Sequence, residues 1–91
     1  MNPVAEPAYV AAVLAMYVDL PDTSKRANAQ DRRLARKLNE DGVSLPTIES
    51  ALLLASLRRR IRPEGLPPLS PIRSLAYCLP VIAEIQQQPL P

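Results

Sequence analysis

The sequence predicts an all-α fold, a compact bundle of about four helices formed by one domain of residues 1–91. Apolar residues recur at spacings of three and four along most of the chain, which is the helical period. No segment shows the alternation of a half-buried strand. The eleven prolines lie mostly at the ends of the chain and between apolar stretches, where they separate helices. A chain of 91 residues supports one small hydrophobic core.

The first helix is predicted over residues 7–20, after a loose lead-in of residues 1–6. Pro7 suits a first helical turn, and the positions that follow repeat apolar residues with helical spacing. The opposite face is almost as apolar, so the helix is expected to be covered on several sides. The cover is either the rest of the bundle, or a second copy or another protein. The candidate contact residues for such a partner are Tyr9, Ala12, Met16 and Val18.

The second helix is predicted over residues 28–41. Asn28 can cap it, Asp31 complements its positive N-terminal end, and Gly42 stops it. One face is a narrow apolar stripe and the opposite face is basic. The basic face carries Arg32, Arg33, Arg36 and Lys37.

The third helix is predicted over residues 44–62, with Ser44 as its cap and Pro46 in its first turn. Two neighbouring lines of residues make a wide stripe, as expected for the central helix of a bundle. The lines are Ile48, Leu52, Ala55, Arg59 and Leu53, Leu57, Ile61. The last turn is strongly basic and holds Arg58, Arg59, Arg60 and Arg62.

The fourth helix is predicted over residues 70–87, after a stiff proline-rich connector of residues 63–69. Ser70 followed by Pro71 is typical of a helix start. Pro80 lies inside the apolar pattern and must kink or split the helix, because it lacks an N–H group. Residues 87–91 form a loose polar end.

Several function classes are disfavoured by composition. There is no histidine and only one cysteine, so a Ser-His or Cys-His catalytic system and the usual zinc ligand sets are excluded. We therefore expect no enzyme activity, no cofactor, no metal and no small-molecule substrate. Cys78 lies in an apolar run and is expected to be a buried thiol in a cytoplasmic protein. The longest apolar stretch is too short to span a membrane.

Positive charge is concentrated in the middle of the chain. Residues 25–62 contain ten Lys or Arg against four acidic residues, although the whole chain has a net charge of only +2. The arginines at the end of the third helix could be a solvated helix tip, a contact for an acidic protein, or a contact for phosphate. The favoured function is a non-catalytic nucleic-acid-binding accessory module. Its basic stripe would join Arg32, Arg33, Arg36 and Lys37 to Arg58, Arg59, Arg60 and Arg62.

The second and third helices, joined at Gly42, also suggest a helix-turn-helix. The start of the third helix, however, carries no basic residue. Contact with phosphates is therefore expected rather than reading of bases, and either DNA or RNA fits. The stretches DRRLARKLNEDGVSLPTIESALLLASLRRRIRP and PIRSLAYCLPVIAEI resemble the small helical modules of replication-initiation and mobile-element accessory proteins, which implies nucleic-acid binding. The alternative is a helical protein–protein interaction or homo-oligomerisation domain that uses the apolar first helix.

Overall fold

The predicted all-α bundle of about four helices is confirmed: the structure has four α-helices and one short 3-10 helix among its described residues. The computed structural model describes residues 5–61, 65–67 and 69–87. The predicted contact residue Arg62, residues 63, 64 and 68 of the predicted connector, and most of the predicted loose ends lie outside these residues. Glu6, expected in the lead-in, already belongs to the first helix. The elements are α1 (Glu6–Val18), α2 (Ala29–Glu40), α3 (Leu45–Arg60), a 3-10 helix (Leu75–Cys78) and α4 (Leu79–Gln87).

The boundaries of α2 are fixed by local hydrogen bonds, as predicted. The Asn28 side chain accepts a hydrogen bond from the Asp31 N–H, and the Asp31 carboxylate accepts one from the Asn28 N–H, which completes a capping box. At the other end, the Val43 N–H donates to the Leu38 carbonyl and Gly42 adopts a φ of 75°. This pattern is a Schellman motif, in which the left-handed residue is most often glycine.

Two helices share the centre of the bundle. α1 packs against α2 and α3, while α3 also packs against α4 and the 3-10 helix. The fully buried side chains include Val13 and Tyr17 of α1, Ile48 of α3 and Leu75 of the 3-10 helix, and α4 adds the nearly inaccessible Ile82. α1 therefore joins α2 to α3, and α3 joins α1 to α4. Among the described helices, none is both long enough and apolar enough to cross a membrane.

The fourth helix begins later than predicted. Residues 70–74 are not helical, and the hydroxyl of Ser74, rather than that of Ser70, caps the 3-10 helix by accepting from the Ala76 N–H. The Ile72 N–H instead donates to the Asp22 carbonyl at 2.7 Å, and Ile72 pairs with Thr23 in an isolated parallel bridge. Burial of Ile72 in the core outweighs the local preference for a helix start.

The predicted break near Pro80 is confirmed. The 3-10 helix joins α4 at Leu79, so that Pro80 becomes the second residue of α4. A proline is tolerated there because the N–H groups of a first turn have no partner within the helix.

The wide apolar stripe predicted for α3 is only half buried. Ile48, Leu52 and Ala55 are buried, and Arg59 extends the same line. The neighbouring line faces outward: Leu53 is 59% exposed, Leu57 54% and Ile61 73%. The two predicted lines are present, but only one is covered, because α1 and the nine-residue α4 pack against only part of the circumference of α3.

Cys78 is a buried free thiol, as predicted. Burial raises the pKa of Cys78 to about 11. The side chain is therefore protonated at neutral pH and acts as a small apolar residue of the core.

Two buried tyrosines are expected to respond differently to removal of the hydroxyl group. The Tyr9 hydroxyl donates to the Val43 carbonyl at 2.6 Å, whereas the Tyr17 hydroxyl has no hydrogen-bond partner among the described residues. Tyr9→Phe should lower the free energy of unfolding by about 1 kcal/mol, since a buried acceptor loses its donor. Tyr17→Phe should leave it unchanged or raise it by up to about 1 kcal/mol. Urea denaturation of both variants measures this, and an equal loss in the two would contradict it.

Candidate interaction surface

The arginines at the end of α3 are largely engaged within the chain. Arg58 donates two hydrogen bonds to the Glu84 carboxylate of α4, at 2.9 and 2.6 Å. These hydrogen bonds raise the pKa of Arg58 and lower the pKa of Glu84. Arg60 is exposed, and it has no ion pair with another described residue.

Arg59 is part of the core boundary rather than of the surface. Its side chain is 7% exposed and donates to the Asp22 carboxylate at 3.3 Å, to the Tyr77 hydroxyl at 3.3 Å and to the Ser70 carbonyl. The guanidinium carbon also lies 5.4 Å from the centre of the Tyr77 ring, within the range of a cation–π contact. Tyr77 is half exposed and packs its ring against this arginine. Arg59 therefore has little surface left for a phosphate.

The basic face of α2 is exposed along its length. Arg36 lies 3.6 Å from the Glu6 carboxylate, and Lys37 pairs with Asp41 at 3.0 Å. The hydrogen bond with Asp41 raises the pKa of Lys37. Arg32 and Arg33 are exposed and form no ion pair in the described part of the chain.

The structure does not bring the two basic groups into one stripe. Arg36 reaches Glu6, the first residue of α1, whereas Arg59 reaches Asp22, in the loop that follows α1. A helix of 13 residues is about 20 Å long, so these anchoring points lie at opposite ends of α1. The two groups are separate surfaces, and only that of α2 presents adjacent exposed cations free of an ion pair in the described chain.

A continuous groove runs between α1 and α3. Three depressions form it, the largest of about 380 Å³, and each shares residues with the next. Leu53 and Leu57 lie on the α3 side of the groove, and their side chains are about half exposed. We call this surface the α1–α3 groove, lined by Ala12, Met16, Asp19, Leu20, Pro21, Leu45, Pro46, Glu49, Leu52, Leu53, Ser56, Leu57 and Arg60.

Two of the four predicted contact residues of the first helix line this groove. Ala12 and Met16 are half-buried along its α1 side. Val18 is half-buried against the core and is not among the lining residues. Tyr9 points inward, with its ring buried and its hydroxyl bonded to Val43. The exposure of Leu53 and Leu57 was not predicted from the sequence. Their position on a separate line of α3 was the signal that could have indicated it.

Comparison of the chain with protein-family models, curated proteins and solved structures gave no match. Within the described residues, no group of three or more acidic residues and cysteines could hold a metal ion. The contacts and charges of the chain itself therefore carry the functional argument.

Proposed function

We propose that this protein is a non-catalytic helical protein–protein interaction module, which docks an apolar helix in the α1–α3 groove. The observation that carries this proposal is the half-exposed pair Leu53 and Leu57 beside that groove. Complete burial of one leucine side chain is worth about 1.5 to 3 kcal/mol. A contiguous apolar surface with a polar rim is typical of interaction sites, whereas isolated exposed leucines are not.

The charges around the groove are consistent with this function. Asp19, Glu49 and Arg60 lie among its lining residues and can fix the orientation of a partner helix. The core of a protein interface is typically poor in charge and its rim polar. The groove has this distribution, with leucines along the middle and charged residues beside them.

Photocrosslinking tests the proposal. A photoreactive phenylalanine analogue replaces Leu53 in one variant and Arg33, exposed on α2, in a matched control. After irradiation in cells, the Leu53 position should give one discrete adduct that the Arg33 position does not. The captured partner, which is either another protein or a second copy of the chain, is then purified, and it must bind the original chain. Leu57→Asp in the original chain should lower this affinity at least about tenfold.

Two results would contradict the proposal. One is the absence of an adduct specific to the Leu53 position. The other is binding of the purified captured protein that Leu57→Asp leaves unchanged, since that substitution puts a charge into the apolar contact.

Nucleic-acid binding is a second candidate function, and the exposed basic face of α2 favours it. Arg32 and Arg33 are adjacent, exposed and without an ion pair in the described structure, so they are available to phosphate oxygens. Binding would involve few phosphates, be weak and decrease steeply with salt.

A salt titration of binding to duplex and single-stranded nucleic acid tests this candidate. Arg32→Ala combined with Arg33→Ala should abolish binding at low salt, while Arg58→Ala should have little effect because Glu84 already occupies that guanidinium. Binding that is absent at low salt, or that depends on Arg58 alone, would exclude α2 as a phosphate-binding face.

A further inference from the structure

We propose that the helix docked in the α1–α3 groove is α3 of a second copy of this chain, antiparallel to the first across a two-fold axis. This inference rests on the proposed function and names the partner. Two-fold dimers are self-complementary, because one surface patch must fit itself. In an antiparallel pair, each residue of α3 lies opposite a residue from the other end of α3 in the second copy. The charges and leucines of α3 must therefore be complementary to the same sequence read backwards.

The order of charges along α3 has this property. Glu49 and Arg60 are eleven residues apart, which places them three helical turns apart, about 20° from the same face and about 16 Å along the axis. Both are exposed, and Leu53 and Leu57 lie between them on the same side of the helix. One end of the stripe is thus negative, the middle apolar and the other end positive.

An antiparallel pair of such stripes brings opposite charges together twice. When the two-fold axis crosses the exposed stripe at the height midway between Glu49 and Arg60, Glu49 of each copy faces Arg60 of the other, and the leucines of both copies meet in the middle. A parallel pair would align Glu49 with Glu49 and Arg60 with Arg60, which is unfavourable. The sequence of α3 therefore selects the antiparallel arrangement.

The groove beside Leu53 also has an unmatched negative charge. Leu53 lines two of the depressions. One holds Asp19 and Glu49 with apolar residues and no basic side chain, and the next shares Asp19 and holds Arg60 of the same chain. Neither carboxylate forms an ion pair within the described residues. Arg60 of a second copy would supply the missing cation, since the antiparallel register directs it to Glu49.

Sedimentation of the purified full chain over micromolar to millimolar concentrations tests the inference through charge reversal. Glu49→Arg and Arg60→Glu should each weaken dimerisation at least about tenfold, because each creates two like-charge contacts. The double variant, with both substitutions in one chain, should recover the original dimerisation constant to within about threefold.

Mixing the two single variants provides the decisive control. A copy with Glu49→Arg has two cations at these positions and a copy with Arg60→Glu has two anions, so the mixture should dimerise although neither variant does so alone. Loss of folding cannot produce that result. Arg33→Glu, a matched charge reversal on α2, should leave dimerisation unchanged.

The outcomes separate this inference from the proposed function. A monomer at every concentration, with an adduct at Leu53 to a different protein, overturns the second copy as partner and leaves the interaction module standing. A dimer that is insensitive to both charge reversals overturns the antiparallel register. A monomer with no adduct specific to Leu53 overturns the inference and the proposed function together.

Discussion

Asp31→Ala is expected to lower the free energy of unfolding by about 3 kcal/mol, a large share of the stability of so small a chain. Asp31 is 1% exposed, and its carboxylate accepts hydrogen bonds from the N–H groups of Asn28 and Leu75, both at 3.0 Å. The Ser74 hydroxyl lies 3.5 Å from the same oxygen that receives Leu75. Alanine would leave the buried Leu75 N–H without an acceptor, and a buried donor left unpaired costs about 1 to 3 kcal/mol. The partly buried Asn28 N–H would lose its acceptor at a smaller cost.

Urea denaturation of Asp31→Ala beside Glu40→Ala measures this loss. Glu40 is an exposed residue of the same helix and forms no ion pair within the described structure, so its replacement should change stability by less than about 0.5 kcal/mol. Equal effects of the two substitutions would show that the Asp31 carboxylate does not hold α2 to the 3-10 helix.

Arg59→Met is expected to lower the free energy of unfolding by about 2 kcal/mol. Methionine preserves much of the apolar stem and the helix propensity of arginine but removes the guanidinium donors. In the native chain these donors connect α3 to Asp22 in the loop after α1, to the Ser70 carbonyl and to Tyr77. Hydrogen bonds to charged groups contribute about 1.5 to 3 kcal/mol each, and part of this is offset by solvation of the released partners.

Amide hydrogen exchange gives the prediction for Arg59 a second readout. The Ile72 N–H bonds to the Asp22 carbonyl at 2.7 Å, next to the carboxylate that receives Arg59, so Arg59→Met should accelerate exchange at Ile72. Arg33→Met, on the exposed face of α2, should change neither stability nor this exchange rate. A phosphate-binding role for Arg59 alone predicts the reverse, with lower nucleic-acid affinity and unchanged stability.

Features determined by nearby residues could be predicted from the sequence. The caps at Asn28 and Ser44 and the stop at Gly42 depend on hydrogen bonds within a few residues, and the structure contains each of them. The start at Ser70 was predicted by the same reasoning and is wrong, because Ile72 pairs with a segment about fifty residues earlier. Local preference does not reveal such long-range competition.

The candidate site shows the same limit. The spacing of α3 places Arg59 in line with Ile48, Leu52 and Ala55, but its partner Asp22 lies 37 residues away and is not implied by that spacing. The sequence correctly placed Leu53 and Leu57 on one face of α3. Whether that face is exposed depends on how far α1 and α4 extend around α3. Periodicity defines the faces of a helix, and tertiary packing decides which of them is covered.

The two attachments of the segment before α4 bear on how the chain folds. Ile72 is bonded to Asp22 and Leu75 to Asp31, so contacts spanning 50 and 44 residues close the structure. Closing loops of this length lowers the chain entropy before the stabilising contacts form. Folding should therefore be slower than in a bundle of purely local helix pairs. The same closure couples the N-terminal helices to the C-terminal segment, so both should lose protection from exchange in a single cooperative opening.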